Sequence, residues 1–507
     1  MQDLRFSGID SIIILLAYAV IMVIIGWLAG RGENIGKSVS KYYLAGRNLG
    51  IITLFFTLYA TQYSGNTIIG YAPQAYREGF SWIQSVPMLT IVIGVYLLYA
   101  PRLYTIAKKA KFITPTDWVR YRFQSKQVTI LAIILMLWGI GNFFLEQIVA
   151  IGTAVSGLTG GTIPYGVAVI GFIIVMLTYE WLGGMKAVAT TDVLQGSILL
   201  IGVIVMLIGG ITLSSGGATS ISENIAAIDQ ERIGVPDLFT NINWISMIVL
   251  AGFGAALYPQ AIQRIYSTKS ERTFKKSLAR LAWMPPITVG VVFILGIIAI
   301  QLYPGLSVTE SEEIIGLLAN DIADLNLFYY WMMIIFFGAI VGAIVSTADS
   351  VLLSFSSIIS HDVYGKYINS SASEKRKIKV GKLTGIVLVG LILWIAWNPP
   401  GTLYQIFVLK LEFLIQLVPV FILGLYWKRL SSGPVFWGML IGAIVAAGMT
   451  IAGYETVFGI HGGLYGLTIN IIICVVGSLM IPMNQEKRKK AEILTAIKTK
   501  TNNDLST

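Results

Sequence analysis

Long apolar segments, separated by short polar or charged stretches, run through almost the whole chain. The pattern predicts an all-α integral membrane protein with about 13 transmembrane helices, because each segment is long enough to cross about 30 Å of hydrocarbon as a helix. The first segment lacks a basic leader and a small-residue cleavage site, so it is interpreted as a retained helix. The segments are 9–30, 50–75, 82–106, 128–157, 163–182, 188–213, 242–266, 281–303, 327–360, 381–398, 401–427, 433–453 and 462–483.

Composition supports the membrane interpretation and argues against enzyme chemistry. Apolar residues make up 55% of the 507-residue chain, charged residues only 12%, and the mean hydropathy is +0.75. A soluble protein carries about a quarter charged residues. A single cysteine, Cys474, excludes an internal disulfide, and two histidines, His361 and His461, leave few groups for acid–base or metal chemistry. The sequence therefore predicts that the protein is not an enzyme.

The net charge of +10 is a topology signal rather than a sign of nucleic-acid binding. Lys and Arg concentrate on alternate loops, whereas the opposite side holds only Arg5, Arg77 and Arg232. By the positive-inside rule, the C-terminus is expected in the cytoplasm and the N-terminus outside a plasma or inner cell membrane. The expected surroundings are a lipid bilayer, with no nucleic acid and no obligate protein partner.

Two predicted spans carry polar or glycine-rich sequence at mid-depth, where a membrane helix normally satisfies its own backbone. Residues 60–67 read ATQYSGNT in the second span, and residues 251–256 read AGFGAA ahead of Pro259 in the seventh. Paired discontinuous helices in corresponding places of two halves indicate a transporter binding site. Small residues that merely allow close helix packing are the alternative, and the polar string in the second span favours the binding site.

One face of the ninth span is lined with small and hydroxyl-bearing residues. Ala343, Ser346, Thr347 and Ser350 follow the i, i+3, i+4, i+7 spacing of a helix face, beside Asp349. Hydroxyl and carbonyl oxygens suit a weakly held hard cation. A single serine or threonine in a membrane helix usually bonds back to its own backbone, but the whole face beside an aspartate predicts a cation site.

Ionisable residues inside the predicted spans are expected to face protein or water and to have partners, because each costs about 2.5–3.5 kcal/mol at the bilayer centre. For Glu146 and Lys410 two arrangements stay open: a structural or gating ion pair, or groups at opposite ends of a substrate. Arg264, close to a span end, is interpreted as an anchor or gate residue. The in-span ionisable residues are Glu146, Asp192, Asp349, Lys410 and Glu412.

Several motifs resemble bacterial-type members of the sodium:solute symporter family, and they occur in the family's order along nearly the whole chain. They read YLAGR at 43–47, GGMKA at 183–187 with TDVLQG at 191–196, STADS at 346–350, and GLYWKR at 424–429. The resemblance implies the leucine-transporter fold, with two inverted five-helix repeats at approximately 50–213 and 242–427. The transmembrane symporter domain is then expected to span 1–483, followed by a polar cytoplasmic tail at 484–507.

The resemblance also implies a site for Na+, the coupling ion. Transferred by motif position, its ligands are the backbone oxygens of Ala60, Tyr63 and Ala343 and the hydroxyls of Ser346 and Thr347.

Some members of the family hold a second cation, for which the corresponding residues here are Asp192, Ser346, Asp349 and Ser350. An aspartate at position 349, where a hydroxyl is usual, is expected to strengthen cation binding or to let a proton replace the cation.

Substrate positions follow from the same transfer. Proline transporters of the family carry aromatic residues where Ala251 and Ala255 stand, and sialic-acid members carry an arginine at the position of Phe143, which counts against both ligands. The implied pocket residues are Gln62, Ser64, Thr67, Phe143, Glu146, Gln147 and Phe253.

The predicted function is a sodium-coupled secondary active symporter that imports a small organic solute by alternating access. The solute belongs to the carboxylate, amino acid, vitamin or sugar class. Proton coupling through Asp192 and Asp349 is the alternative within the same fold. A channel or receptor-like membrane protein is the alternative of another class, although the symmetric rings that line channel pores are not visible in the sequence.

Overall fold

The computed structural model describes residues 9–31, 35–159, 161–214, 217–228, 230–234, 236–481 and 483–496. Most of these residues are α-helical. The helices are α1 (Ile9–Gly30), α2 (Val39–Leu44), α3 (Ile51–Gln62), α4 (Tyr71–Glu78), α5 (Ser85–Ala110), α6 (Pro115–Phe123), α7 (Lys126–Leu158), α8 (Tyr165–Leu213), α9 (Gly217–Ile228), α10 (Leu238–Ala256), α11 (Pro259–Ser267), α12 (Glu271–Leu281), α13 (Gly290–Leu302), α14 (Val308–Ser311), α15 (Ile314–Ala323), α16 (Leu327–Ser357), α17 (Glu374–Ala396), α18 (Leu403–Leu414), α19 (Gly424–Tyr426), α20 (Ser432–Ile451), α21 (Gly462–Met480) and α22 (Gln485–Ala496).

Shorter elements connect or extend these helices. Two strands, β1 (Thr456–Val457) and β2 (Ile460–His461), pair antiparallel between α20 and α21. The π-helical segments are Asn66–Gly70, Pro285–Val289, Ile358–Ile368 and Pro419–Leu423. The 3₁₀ segments are Ile35–Lys37, Ala45–Arg47, Gly79–Gln84, Gln230–Ile233 and Ile415–Leu417.

Eleven helical runs in the described part of the chain are long and apolar enough to cross a membrane. Two of them, Thr67–Ala110 and Tyr165–Leu213, each take in sequence from two predicted spans. The first bends at Gly79 (φ 64°, ψ −142°), and the second is interrupted at Gly184 (φ 53°, ψ −147°). The all-α, multi-span class is confirmed, whereas the exact number of thirteen crossings stays a prediction.

The interruption of α8 needs glycine at position 184. Its φ of 53° is strained for any residue with a side chain. A Cβ at this position would also lie 2.5 Å from the carbonyl oxygen of Tyr42 in α2. The double-glycine motif therefore lets α8 change direction while packed against the segment that precedes α3.

Both helix interruptions are present, and the second lies further along the chain than predicted. α3 ends at Gln62, and Tyr63 has non-helical angles (φ −107°, ψ 78°). α10 continues through the glycine-rich residues to Ala256, and Tyr258 (φ −53°, ψ 125°) is extended ahead of Pro259. The expectation that residues 251–256 themselves are broken is wrong, because proline, not glycine, forces the residue before it out of the helical region.

Packing places both interruptions beside the centre of the bundle. α16 is the most deeply buried of the eleven runs and packs against α7, α8 and, less extensively, α3 and α11. α18 packs against α7, α10 and the segment Asn66–Gly70. Groups on α7, α8, α16 and α18 can therefore meet the helix breaks.

The predicted polar tail is partly structured. Residues 485–496 form α22, in which Ala491 and Leu494 are buried and which packs against α6 and α19. This part of the tail is polar in sequence, and its two buried apolar side chains attach it to the bundle. The separate cytoplasmic tail at 484–507 stays a prediction. Residues 497–507 lie outside the described residues.

Candidate cation and solute sites

The first helix break meets α16 at the predicted sodium site. The Thr347 hydroxyl lies 2.9 Å from the carbonyl oxygen of Ala60 and 3.1 Å from that of Ala343. This close approach depends on Gly65, where a Cβ would lie 2.1 Å from a side-chain carbon of Ile344. The Thr347 hydroxyl therefore lies within hydrogen-bonding distance of two of the other four predicted oxygen ligands.

The remaining two predicted ligands border this group. Tyr63 is buried, and its non-helical angles take its carbonyl out of the regular hydrogen-bond ladder of α3. The Ser346 hydroxyl, one residue before Thr347, donates to the Asp192 carboxylate. Ser346 thus links the predicted sodium site with the acidic group on α8.

Asp192 lies at the centre of a fully buried network that includes an arginine. Thr57 and Ser346 both donate hydrogen bonds to its carboxylate, and the Arg264 Nη2 lies 3.5 Å from its Oδ2. Arg264 also donates through Nε to the Thr57 hydroxyl at 2.7 Å and through Nη2 to the Ser350 hydroxyl. The guanidinium therefore contacts two of the four residues predicted to hold a second cation.

Arg264 is not an exposed anchor at the end of a span, whereas its role as a gate residue stays a prediction. The residue does lie in the last turn of α11, but it is fully buried and contacts Thr57 on α3. A buried carboxylate at Asp192 requires a cationic partner, and an arginine inside a predicted span is the sequence signal that could have identified it.

Asp349 completes the acidic group. Its carboxylate accepts hydrogen bonds from the Tyr179 hydroxyl and, at 3.1 Å, from the Ser350 hydroxyl. Ser350 also lies 2.6 Å from the carbonyl oxygen of Ser346. Asp192, Ser346, Asp349 and Ser350 are thus connected through hydrogen bonds, as the second-cation prediction requires of its ligands.

Glu146 and Lys410 form a fully buried ion pair between α7 and α18. The Lys410 ammonium also lies 3.5 Å from the centre of the Phe143 ring, 4.7 Å from that of Phe407 and 5.5 Å from that of Tyr258. Of the two arrangements left open by the sequence, this structure shows the direct pair. Tyr258, which belongs to the second helix break, was not predicted as a site residue.

The other predicted pocket residues are distributed around the first break and α7. Gln62 donates to the Tyr96 hydroxyl, while Ser64 and Thr67 are buried. Gln147 is fully buried, and its amide atoms have no hydrogen-bond partner among the described residues. Phe253 is half-buried in the last turn of α10. A single pocket containing all seven predicted residues stays a prediction.

Glu412 faces away from Lys410 and pairs with a different residue. Its Oε1 lies 3.5 Å from the His461 Nδ1, and both side chains are buried near the start of α21. This contact connects α18 with the β-hairpin that precedes α21.

A separate charged cluster joins α6, which lies outside the candidate spans, to the last residues of the run Leu327–Ile368. Asp117 on α6 contacts Lys366 and lies 3.3 Å from the His361 Nε2. Burial alone would raise the pKa of the Asp117 carboxyl, but hydrogen bonds and charges from His361 and Lys366 outweigh it and hold that pKa well below its usual range. Asp117, His361 and Asp362 have metal-ligand spacing, yet the Lys366 ammonium, 2.9 Å from Asp362, already supplies a cation.

Comparisons with known proteins agree with this architecture. Over 493 residues the chain is 26% identical to the osmoregulated proline transporter OpuE of Bacillus subtilis (strain 168), covering 96% of each chain. It is 25% identical over 480 residues to the sodium/pantothenate symporter of Escherichia coli (strain K12), covering 93% of this chain and 96% of the relative.

The fold is also similar to that of solved transporters. The structure of a substrate-bound, outward-open Na+-coupled sialic acid symporter matches with a TM-score of 0.78 at 20% identity, covering 95% of this chain and 99% of that chain. The nucleobase-cation-symport-1 transporter Mhp1 matches with a TM-score of 0.51 at 16% identity, covering 89% and 98%. The leucine-transporter fold expected from the motifs is thereby confirmed.

The family model of the sodium:solute symporter family matches residues 42–442, which include both helix breaks and every predicted sodium ligand. The family and these relatives are transporters and not enzymes. The prediction that the protein is not an enzyme is therefore confirmed. The chain belongs to the sodium:solute symporter family and is a sodium-coupled symporter of small solutes.

Proposed function

We propose that this protein imports its solute together with Na+ bound between the first helix break and α16. The observation that carries the proposal is the Thr347 hydroxyl, which lies within 3.1 Å of the carbonyl oxygens of both Ala60 and Ala343. Neutral oxygen ligands replace the hydration of a hard cation without holding it permanently. Tyr63 and Ser346 complete the proposed ligand set.

Charge balance supports a cation at this position. Asp192 and Asp349 are fully buried with Arg264, so the ionised network carries one net negative charge. An uncompensated charge inside a membrane protein is unfavourable. Na+ at the proposed site would share the ligand Ser346 with the network, since the Ser346 hydroxyl also donates to Asp192. Bound Na+ would neutralise the network, and its release would leave the network charged. A coupled, alternating-access transporter requires such a difference in buried charge between its sodium-bound and sodium-free states.

A second cation among Asp192, Ser346, Asp349 and Ser350 is a further candidate. The hydrogen bonds that connect these residues favour it, and the contacts of Arg264 with Asp192 and Ser350 oppose it. The sodium dependence of transport distinguishes one bound sodium ion from two. A Hill coefficient of one for sodium fits the single site, and a coefficient approaching two requires the second.

Proton coupling through the same two aspartates is the rival within this fold. Proteoliposomes containing the purified protein would be given a defined mixture of amino acids, monocarboxylates, vitamins and sugars, and the accumulated solute identified by mass spectrometry. Accumulation is expected with an inward sodium gradient and not when choline replaces sodium at the same pH. Accumulation in choline that depends on an inward proton gradient would favour the rival.

The proposed setting is a plasma or inner cell membrane, with the N-terminus outside and the C-terminus in the cytoplasm. The clustering of basic residues on alternate loops supports this orientation. Residues 1–483 are proposed as the transport domain, with inverted repeats at approximately 50–213 and 242–427.

A further inference from the structure

The Glu146–Lys410 pair has a position and surroundings that bundle stability alone does not explain. Both groups are fully buried, and each was removed from water at a cost that a buried ion pair often fails to recover. Apolar residues of similar volume would pack α7 against α18 at least as well. Intramembrane charged residues are therefore functional candidates by default.

Elements from both halves of the chain converge on the pair. Glu146 and Phe143 belong to α7, Lys410 and Phe407 to α18, and Tyr258 to the second helix break. The segment Asn66–Gly70, directly after the first break, packs against both α7 and α18. Transporters of repeated architecture hold their substrates where two interrupted helices meet.

The aromatic rings around the pair form a cage for a positive charge. The Phe143, Phe407 and Tyr258 ring centres lie 3.5 to 5.5 Å from the Lys410 Nζ, within the range of cation–π attraction. Such cages also bind ammonium groups of ligands. A ligand ammonium could therefore occupy the cage beside Glu146 once the Lys410 ammonium turns to a ligand carboxylate.

Charge balance selects the ligand. The pair is neutral as a whole, so a solute with one positive and one negative group leaves every buried charge compensated. A simple carboxylate would leave Glu146 without a cation, and a simple amine would leave Lys410 without an anion. We propose that Glu146 and Lys410 separate to hold the two ends of a small zwitterion, an amino acid or a betaine, with its carboxylate on Lys410 and its ammonium between Glu146 and the aromatic rings. This inference rests on the proposed symport function.

The first test measures binding to the purified wild-type protein in saturating sodium by thermal shift. The probes are the twenty protein amino acids and glycine betaine, each compared with its methyl ester and with the acid that lacks the amino group. At least one zwitterion is expected to stabilise the protein, with both of its single-charge analogues at least tenfold weaker. A methyl ester or a des-amino acid that stabilises the protein more than every zwitterion, or the absence of stabilisation by any zwitterion, would overturn the proposal.

Variants test whether Glu146 and Lys410 themselves bind the two charged groups of the ligand. Lys410→Met is expected to lose the preference for the zwitterion over its methyl ester, because the variant lacks the partner of the ligand carboxylate. Glu146→Gln is expected to lose the preference for the zwitterion over the des-amino acid, because it lacks the partner of the ligand ammonium. The double variant Glu146→Gln/Lys410→Met keeps the site neutral, so it is decisive if a single variant fails to fold. Zwitterion binding within threefold of wild type in the folded double variant would contradict the proposal.

Sodium alone separates this inference from the symport proposal. Stabilisation of the wild-type protein by sodium over choline, without added solute, reports on the cation site only. If sodium does not stabilise the protein, the proposed function is contradicted. If the protein then still prefers zwitterions to their single-charge analogues, the assignment of Glu146 and Lys410 is retained.

Discussion

The Arg264 Nη2 lies 3.5 Å from the Asp192 Oδ2, and neither side chain is exposed. These residues come from α11 and α8, so the ion pair connects the two predicted repeats beside the first helix break. Thr57 on α3 hydrogen-bonds to both partners and extends the connection to a third element.

Removal of one partner of this pair is expected to destabilise the protein strongly. Asp192→Asn removes the carboxylate nearest to the guanidinium, and Arg264→Gln leaves two buried carboxylates without their cation. Breaking a buried ion pair in this way costs about 3–5 kcal/mol. The midpoint of thermal unfolding in detergent should fall in both single variants and recover in part in the double variant. Lys275→Gln, which removes the partly exposed pair with Glu271, is the control and should change stability by less than about 1 kcal/mol. Wild-type stability in both single variants would contradict the pairing.

Gly184→Ala is expected to prevent correct packing of α8. The new Cβ would meet the Tyr42 carbonyl at 2.5 Å, at a φ of 53° that alanine rarely adopts. Gly171→Ala, in the same helix with no atom of the described residues within 4 Å of the new Cβ, is the control and should be neutral or stabilising by about 0.5–1 kcal/mol. Fluorescence-detected size-exclusion chromatography distinguishes the two. Equal monodispersity of both variants would show that the interruption tolerates a side chain.

The Asp117 cluster is expected to stabilise the protein at neutral and mildly acidic pH. Because the pKa of this carboxyl is held below its ordinary value, its contribution is complete above the ordinary carboxyl range and is lost as pH falls through the lowered pKa. Asp117→Asn should cost about 1.5–3 kcal/mol, with the same loss at pH 8 and pH 5. The comparison is made with His361 in place, because His361 and Lys366 together hold the pKa of Asp117 down. A loss that disappears between pH 8 and pH 5 would contradict the assigned direction.

The fold and one of the two helix breaks could be predicted from the sequence because they depend on local chemistry. Apolar length specifies the spans, and the polar string at 60–67 marks the first break. The second break lies further along the chain than the glycines predict, because glycine in a membrane helix can either interrupt the helix or allow close packing. Gly252 and Gly254 remain helical, and a Cβ on them would meet Ile91 at 2.3 Å and Leu411 at 3.1 Å, so they serve packing.

Contacts between distant elements were harder to predict. Helical spacing places Ser346 and Thr347 on one face of α16, but only the packing of α3 and α8 shows that Thr347 meets Ala60 while Ser346 turns to Asp192. The role of Arg264 was missed for the same reason, since a position close to a span end does not reveal which neighbour covers it. The direct contact of Glu146 with Lys410 likewise depends on how α7 and α18 face each other.

The most direct test of the account is sodium binding to the purified protein, measured as sodium-dependent thermal stabilisation with choline as the ionic-strength control. Thr347→Ala removes a ligand hydroxyl worth about 1.5–3 kcal/mol, by analogy with hydrogen bonds to charged groups. The sodium concentration for half-maximal stabilisation should therefore rise by about ten- to a hundredfold, whereas Thr347→Ser, which keeps the hydroxyl, should stay within about threefold of wild type. An unchanged sodium dependence in folded Thr347→Ala protein would contradict a sodium site between Ala60, Ala343 and Thr347.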